Sequence, residues 1–233
     1  MRYSAIARLL PPPLRRYILH FESEIERAVE SFAAELPAGA RVLDAGAGEG
    51  QYKRFFAPHG YVGIDLGIGD AGWNYRSLDA VADLERLPVA GGCFDAAVNV
   101  VTLEHVREPK RVLAEIARSL KPGGRLLLIV PHEWEVHQAP HDYYRYTRHG
   151  VEYLLGEAGF EAAEIQPVGG YFRLLARRLL NGLQFFATGP RWIGFLPAAL
   201  FLVPPALILP LLDGLDRDRH FTLGYICKAI RRW

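Results

Sequence analysis

At 233 residues the chain is long enough to bury one full core. Its 27 basic residues against 26 acidic ones leave a net charge of +1, which offers no long-range attraction to nucleic acid. Two cysteines, Cys93 and Cys227, sit far apart in or beside apolar runs, so neither a disulfide framework nor a cysteine metal site is expected, and a reducing cytosol is the natural setting.

Residues 1–37 are expected to form an N-terminal helical cap. Pro11-Pro12-Pro13 breaks the first apolar stretch, which argues against a secretory signal. Phe21 to about Leu36 reads as an amphipathic helix, with Phe21, Ile25, Val29 and Phe32 on one side and Glu22, Glu26 and Glu30 on another. It is expected to pack over the ligand-binding edge of the sheet that follows.

Arg41–Gly50 reads as a buried strand that turns through a glycine-rich loop into a helix. Gly46, Gly48 and Gly50 let the backbone approach a ligand closely, and the start of a helix offers free N–H groups. A dinucleotide loop would carry a glycine at position 51 in the G-x-G-x-x-G spacing, where Gln51 stands. Asp44, just before the loop, would repel a pyrophosphate but suits a ligand bearing an ammonium group, as the methionine end of S-adenosylmethionine does. About twenty residues on, Tyr61–Asp65 is a second apolar strand ending in an acid, the place of a ribose ligand in a doubly wound sheet.

Downstream come Asp83-Leu84-Glu85-Arg86-Leu87-Pro88, a strand that opens with Phe94-Asp95 and ends near Asn99, and then Leu103-Glu104-His105-Val106. A helix from about Pro109 to Leu120 follows, and Lys121-Pro122-Gly123-Gly124 turns the chain into a strand over residues 125–130. In this order the motifs resemble those of the class I S-adenosylmethionine-dependent methyltransferases, of the methyltransferase type 11-like kind, over roughly residues 38 to 168. The resemblance implies a Rossmann-like α/β fold, a seven-stranded mixed sheet flanked by helices, with S-adenosylmethionine as cofactor. It implies that the Asp44 loop with Gly46, Gly48 and Gly50 holds the methionine part, Asp65 the ribose hydroxyls, and Asp83 with Leu84 the adenine. Asn99 then lies beside the methionine moiety.

The segment Pro131–Thr147 follows a strand end, where ligands of open α/β sheets bind. Its histidines, tyrosines, aspartate and arginine supply proton acceptors, donors and flat apolar faces. If the acceptor is oxygen, His132 or His141 is the candidate general base, with Asp142 as orienting partner or alternative base; a carbon or nitrogen acceptor needs no dedicated base. His105, Tyr143, Tyr144, Arg145 and Tyr146 are the substrate-binding candidates, although Tyr144, Arg145 and Tyr146 equally suit pinning the loop. A metal site built from His132, His137 and His141 is not favoured, and no metal is expected.

Beyond a helix over about 148–158 and a strand near 161–168, the chain departs from a minimal fold. Residues 171–186 set Arg173, Arg177 and Arg178 among apolar side chains, as a basic amphipathic helix does. Residues 192–212 carry no charge but include Pro197, Pro204, Pro205 and Pro210. Phe221–Ala229 reads as the last strand, inserted antiparallel.

One bilayer crossing would strand that last segment away from its sheet. The expected form is therefore a broken helical hairpin inserted monotopically in the cytoplasmic leaflet, with a substrate lid or a dimer interface as competing readings. The organisation read from sequence is thus a cap (1–37), a cofactor-binding core (38–170), a hydrophobic helical insert (171–220) and the last strand (221–233). The expected activity is methyl transfer to a small-molecule or lipid-linked acceptor at the cytoplasmic membrane face; the alternative is a non-catalytic protein of this fold that binds a membrane partner through its apolar insert.

Overall fold

The computed structural model describes residues 11–70, 72–187 and 189–233. The first ten residues of the expected cap lie outside the described residues. In chain order the elements that position the site are helices α1 (Pro12–Ile18) and α2 (His20–Ala34), strands β1 (Arg41–Ala45), β2 (Gly60–Asp65), β3 (Ala80–Val81) and β4 (Phe94–Val100), and helix α3 (Pro109–Ser119). Strand β5 (Leu120–Pro131), helix α4 (Arg148–Glu157), strand β6 (Phe160–Val168), helices α5 (Tyr171–Gly182) and α6 (Phe195–Ile208) and strand β7 (Gly224–Arg231) follow.

The seven strands form one sheet in the order β3-β2-β1-β4-β5-β7-β6. Strands β1 to β5 pair in parallel and β7 lies antiparallel to β5, so the sheet is mixed, as the motif order predicts. The central strands are apolar along nearly their whole length because helices cover both faces of such a sheet. Leu126 to Val130 of β5 are fully buried, as are Ala96, Ala97 and Val98 of β4. Helix α3 starts with Pro109 in its first turn, where a missing N–H costs nothing, and buries Val112, Leu113 and Ile116 on one stripe. Thr147 caps α4 by accepting from the Gly150 N–H.

By its contacts the chain divides into two units. One comprises the described residues up to Glu24 with Pro167–Leu223, the other Ile25–Gln166 with Gly224–Trp233. The second unit holds the glycine loop and the histidine loop. In it, Glu35, one residue past the end of α2's last turn, pairs with Arg125 and Lys228. Arg125 opens the regular part of β5, at the end of the sheet opposite the glycine loop. This end of the helix is therefore not over the ligand edge, and the two cations that fix it pull the Glu35 pKa down to about 2.

Three local differences from the sequence reading have physical reasons. The loop after β1 does not open into an α-helix: positive φ at Gly48 and Gly50 keeps the chain out of the right-handed helical region up to residue 50, and it then runs through turns into a four-residue 3₁₀ helix, Lys53–Phe56. The prolines do not break the apolar segment into a hairpin. Pro204 and Pro205 stand inside α6, and 3₁₀ turns at Gly189–Gly194 and Leu209–Leu215 extend it at both ends. Two adjacent prolines remove two consecutive hydrogen bonds of one turn, which the helix tolerates here.

The third difference concerns the arginines of α5. Arg177 is buried and paired with Glu22 at 3.0 Å, and Arg173 lies 3.5 Å from the buried Asp213. Asp213 also accepts from the Gly170 and Arg173 N–H groups, satisfying the start of α5. These two charges are neutralised within their own unit and do not make a basic face.

Candidate functional site

Each glycine of the loop is favoured by its backbone conformation, and Gly46 also by what packs on it. Gly46, Gly48 and Gly50 all have positive φ. A Cβ at Gly46 would stand 2.7 Å from the Thr102 Cβ, one at Gly48 3.2 Å from the Trp73 ring, and one at Gly50 2.7 Å from the Ser77 hydroxyl. The loop is thus held from two sides, by the turn after β4 and by the segment between β2 and β3.

Asp44 is buried and lies at the end of β1. Its Oδ2 accepts from the Tyr61 hydroxyl at 2.7 Å, while Oδ1 has no hydrogen-bond partner. Burial raises the Asp44 pKa to about 7, against the Tyr61 hydrogen bond and with help from the negative Asp65. Asn99, fully buried in β4, donates to the Ala45 carbonyl at 2.6 Å and leaves its own Oδ1 without a partner. Asp44 Oδ1 and Asn99 Oδ1, near the ends of the neighbouring strands β1 and β4, are thus two buried acceptors without a donor.

Asp65 ends β2. Its Oδ2 accepts from the Gly48 N–H at 2.9 Å and its Oδ1 from the Gly67 N–H at 2.7 Å, so it braces the glycine loop directly. A carboxylate has about four lone-pair sites, which leaves capacity for a diol. Asp83 is exposed and caps the short turn Leu84–Arg86 through the Glu85 N–H, and Leu84 is buried beneath it. The donors and acceptors present fit S-adenosylmethionine at its charged end.

Tyr61, Thr102, Trp73 and Ser77 were not singled out from the sequence. Tyr61 had a legible signal. Gly63, two residues along the same strand face, would clash with the Tyr61 ring at 3.1 Å if it carried a side chain, so the glycine makes room for that ring to reach Asp44. Trp73 and Ser77 lie in an irregular segment with no period to read.

The histidine loop is pinned by its own side chains. Arg145 donates to both oxygens of Asp142 at 2.6 and 2.8 Å and to the carbonyls of Trp134, Tyr144 and Glu135. Burial alone would raise the Asp142 pKa, but Arg145 and the His137 N–H outweigh it and hold the acid at about 2. An acid so held is a poor proton acceptor near neutrality, and it orients His137, whose N–H it accepts at 2.9 Å, in place of His132 or His141. Tyr146 is buried, donating to the Leu103 carbonyl at 2.7 Å. Arg145 and Tyr146 thus spend their polar groups on the loop, whereas Tyr143 and Tyr144 are exposed.

His132 has Nδ1 at 2.8 Å from the Tyr146 carbonyl, which fixes the proton on Nδ1 and leaves Nε2 basic. His141 has Nδ1 at 3.2 Å from the Tyr143 hydroxyl. The structure does not bring His132 and His141 together. It does bring His105 to His137, their Nε2 atoms 3.1 Å apart beside the buried Glu104. Burial disfavours a charge on His137, yet Glu104, the Glu135 carbonyl and Asp142 together raise its pKa.

A mixed sheet whose parallel strands carry a glycine turn after β1, an acid at the end of β2 and unpartnered acceptors near the ends of β1 and β4 defines a nucleoside-cofactor enzyme fold. A family model described as a methyltransferase domain matches residues 17–164, and the chain belongs to that family, the class I S-adenosylmethionine-dependent methyltransferases. Similar curated proteins include a demethylmenaquinone methyltransferase of Renibacterium salmoninarum, 40% identical over 96 residues that make up 39% of this chain and 40% of that protein. A ubiquinone biosynthesis O-methyltransferase of Dechloromonas aromatica is 35% identical over 39% of this chain and 44% of that one. The chain thus spans about two-fifths of the length of these curated relatives. Among solved structures, the Burkholderia thailandensis 1,6-didemethyltoxoflavin-N1-methyltransferase with bound S-adenosylhomocysteine superposes with a TM-score of 0.56 at 19% identity. It covers 99% of this chain and 89% of its own, a likeness of fold.

Proposed function

We propose that this protein transfers a methyl group from S-adenosylmethionine to a small-molecule or lipid-linked acceptor. The observation that carries the reading is the two unpartnered buried acceptors, Asp44 Oδ1 and Asn99 Oδ1, near the ends of β1 and β4, together with a loop whose three glycines all adopt positive φ. The cofactor supplies a methyl group on a positively charged sulfur, open to in-line displacement. Asp44 and Asn99 would receive its ammonium end, the glycine loop its carboxylate-bearing chain, Asp65 its ribose hydroxyls, and Asp83 with Leu84 its adenine. The relatives named for demethylmenaquinone and ubiquinone favour a small-molecule acceptor.

For a hydroxyl acceptor, His132 is the stronger base candidate, because its Nδ1 proton is committed to a carbonyl and its Nε2 is free to take a proton. Tyr143 and Tyr144, exposed further along the same loop, offer flat faces to an aromatic or isoprenoid acceptor.

The membrane reading rests on the segment Gly189–Leu215: 27 helical residues, long and apolar enough to cross a bilayer by length and composition, with only 11% of its most apolar 18-residue stretch buried. Ile193, Leu196, Leu200, Phe201 and Leu211 are exposed on it, an apolar surface that favours an interfacial position over a soluble lid. With Arg173 and Arg177 paired internally, the binding is apolar in origin. Replacing Leu200 and Phe201 by Glu should release the protein from neutral-lipid vesicles in a flotation assay; equal flotation of both forms would return the segment to a lid or dimer interface.

The activity itself is tested by incubating the protein with methyl-labelled cofactor and the membrane or soluble fraction of its host. Label in extractable lipid supports a membrane-face enzyme, and label in the aqueous pool a soluble acceptor. Cofactor binding without transfer in either fraction would favour a non-catalytic protein of this fold.

A further inference from the structure

Glu104, His105 and His137 converge on one point from two separate loops. Glu104 and His105 lie in the short 3₁₀ turn Leu103–His105 after β4, and His137 in the loop after β5. The Glu104 side chain is fully buried, and neither of its carboxylate oxygens has a hydrogen-bond partner. Its Oε1 stands 3.7 Å from Nε2 of His105 and 3.7 Å from Nε2 of His137, too far for hydrogen bonds. The two Nε2 atoms are 3.1 Å apart.

We propose that these three side chains form a binding site for a divalent transition-metal ion of the zinc class. The geometry favours it first. A point equidistant from the two Nε2 atoms and Oε1 lies about 2.0 Å from each, the bond length zinc takes to imidazole nitrogen and carboxylate oxygen. An ion there completes the unsatisfied carboxylate and meets both imidazoles without moving a side chain.

The outer hydrogen bonds agree. His105 Nδ1 lies 2.6 Å from the His141 carbonyl, and His137 Nδ1 lies 3.1 Å from the Glu135 carbonyl and 3.4 Å from Asp142 Oδ2. Both Nδ1 atoms face acceptors and so carry the ring protons, which turns both Nε2 lone pairs toward the centre. Metal-ligating histidines are held by such carbonyl or carboxylate partners. Asp142 is itself clamped by Arg145, and the Glu104 carbonyl accepts from the Tyr143 N–H at 2.9 Å, so the histidine loop is tied to the turn that carries the carboxylate.

Two imidazoles with one carboxylate suit zinc, manganese or iron(II), not the all-oxygen shells of magnesium and calcium. Three protein ligands leave the ion open to a further one. The side chains of His105 and His137 are 13% and 24% exposed, which gives an ion and its fourth ligand a route in. An acceptor with a phenol or enol oxygen is the chemical class that would use that position, its proton made more acidic by the ion.

Binding is measured apart from catalysis. Untagged, chelator-treated protein is titrated with Co²⁺ near neutral pH while its visible d–d absorption is followed, and Zn²⁺ is then added. One equivalent of Co²⁺ should bind saturably and be displaced by Zn²⁺. H137A should weaken binding by at least tenfold and E104Q likewise, while H132A should bind as the parent does. H137C should restore binding and add a sulfur-to-metal charge-transfer band. Melting curves identify any variant that does not fold; H137A, on a partly exposed loop, carries the test if E104Q unfolds. No saturable signal in the parent, as expected if an imidazolium proton alone balances Glu104, or equal titration of the parent and H137A would overturn the proposal.

Discussion

The Tyr61 hydroxyl donates to Asp44 Oδ2 at 2.7 Å, reaching across from the neighbouring strand β2 through the space that Gly63 leaves open. One oxygen of the acid is thereby oriented and the other left free. Burial raises the pKa of this acid to about 7 while one of its acceptor atoms stays open.

The pH dependence follows from that shift. An ammonium ligand favours the ionised acid, so cofactor affinity should be flat above about pH 7 and weaken toward tenfold per pH unit below it. Tyr61→Phe removes a bond that lowers the pKa and should move the break to higher pH. Calorimetric titrations from pH 8 to 5.5 check both; a constant affinity across that range would refute the role given to Asp44.

Stability should move the other way. The folded-state pKa of Asp44 lies above its ordinary 3.8, so the folded protein binds the extra proton between those values and this group's destabilisation is relieved as pH falls through 7. Asp44→Asn should therefore raise the melting temperature above pH 7 while abolishing cofactor binding. A lower melting temperature at pH 8 would count against a buried charge at that position.

Gly46→Ala forces a side chain into Thr102 at a φ of 97°, a conformation that favours glycine. We expect about 1–3 kcal/mol of lost stability in urea unfolding and a larger loss of cofactor affinity, since the loop must shift to relieve the clash. Gly156→Ala, where a Cβ meets nothing within 4 Å, is the control.

Arg145→Ala leaves Asp142 buried without its partner and frees three carbonyls. The expected cost is about 3 kcal/mol, felt locally as proteolytic cleavage within residues 132–147. Because the Asp142 pKa is held at about 2, the contribution of this pair is complete above pH 4 and fades as pH falls toward 2. Loop protection in the variant equal to that of the parent would show that the arginine is not the clamp.

The sheet was legible because buried parallel strands leave apolar runs and their turns leave glycines: Leu43, Ile64, Ala97 and Leu127 mark four strands by composition alone. Asp44 and Asp65, the acids proposed to hold the cofactor, were legible for the same reason, each being the charge at the end of such a run. The helix expected after Gly50 was not, since a glycine turn carries no statement of how long the next element is. Nor was the meeting of Glu104 with His137. A run of three histidines in one loop draws attention to the loop, whereas their partner is fixed by the register of β4 against β5, which sequence spacing does not encode.

Strand β7 lies between β5 and β6 although both precede it, and Leu126 to Val130 of β5 find their second neighbour only in residues 225–229. Until that late segment arrives, the buried apolar half of β5 presents an open ladder of N–H and C=O groups. The intervening insert makes the search for that pairing long in sequence. Folding should therefore end with the insertion of this penultimate strand, and any delay there exposes a strand edge suited to pairing with another chain.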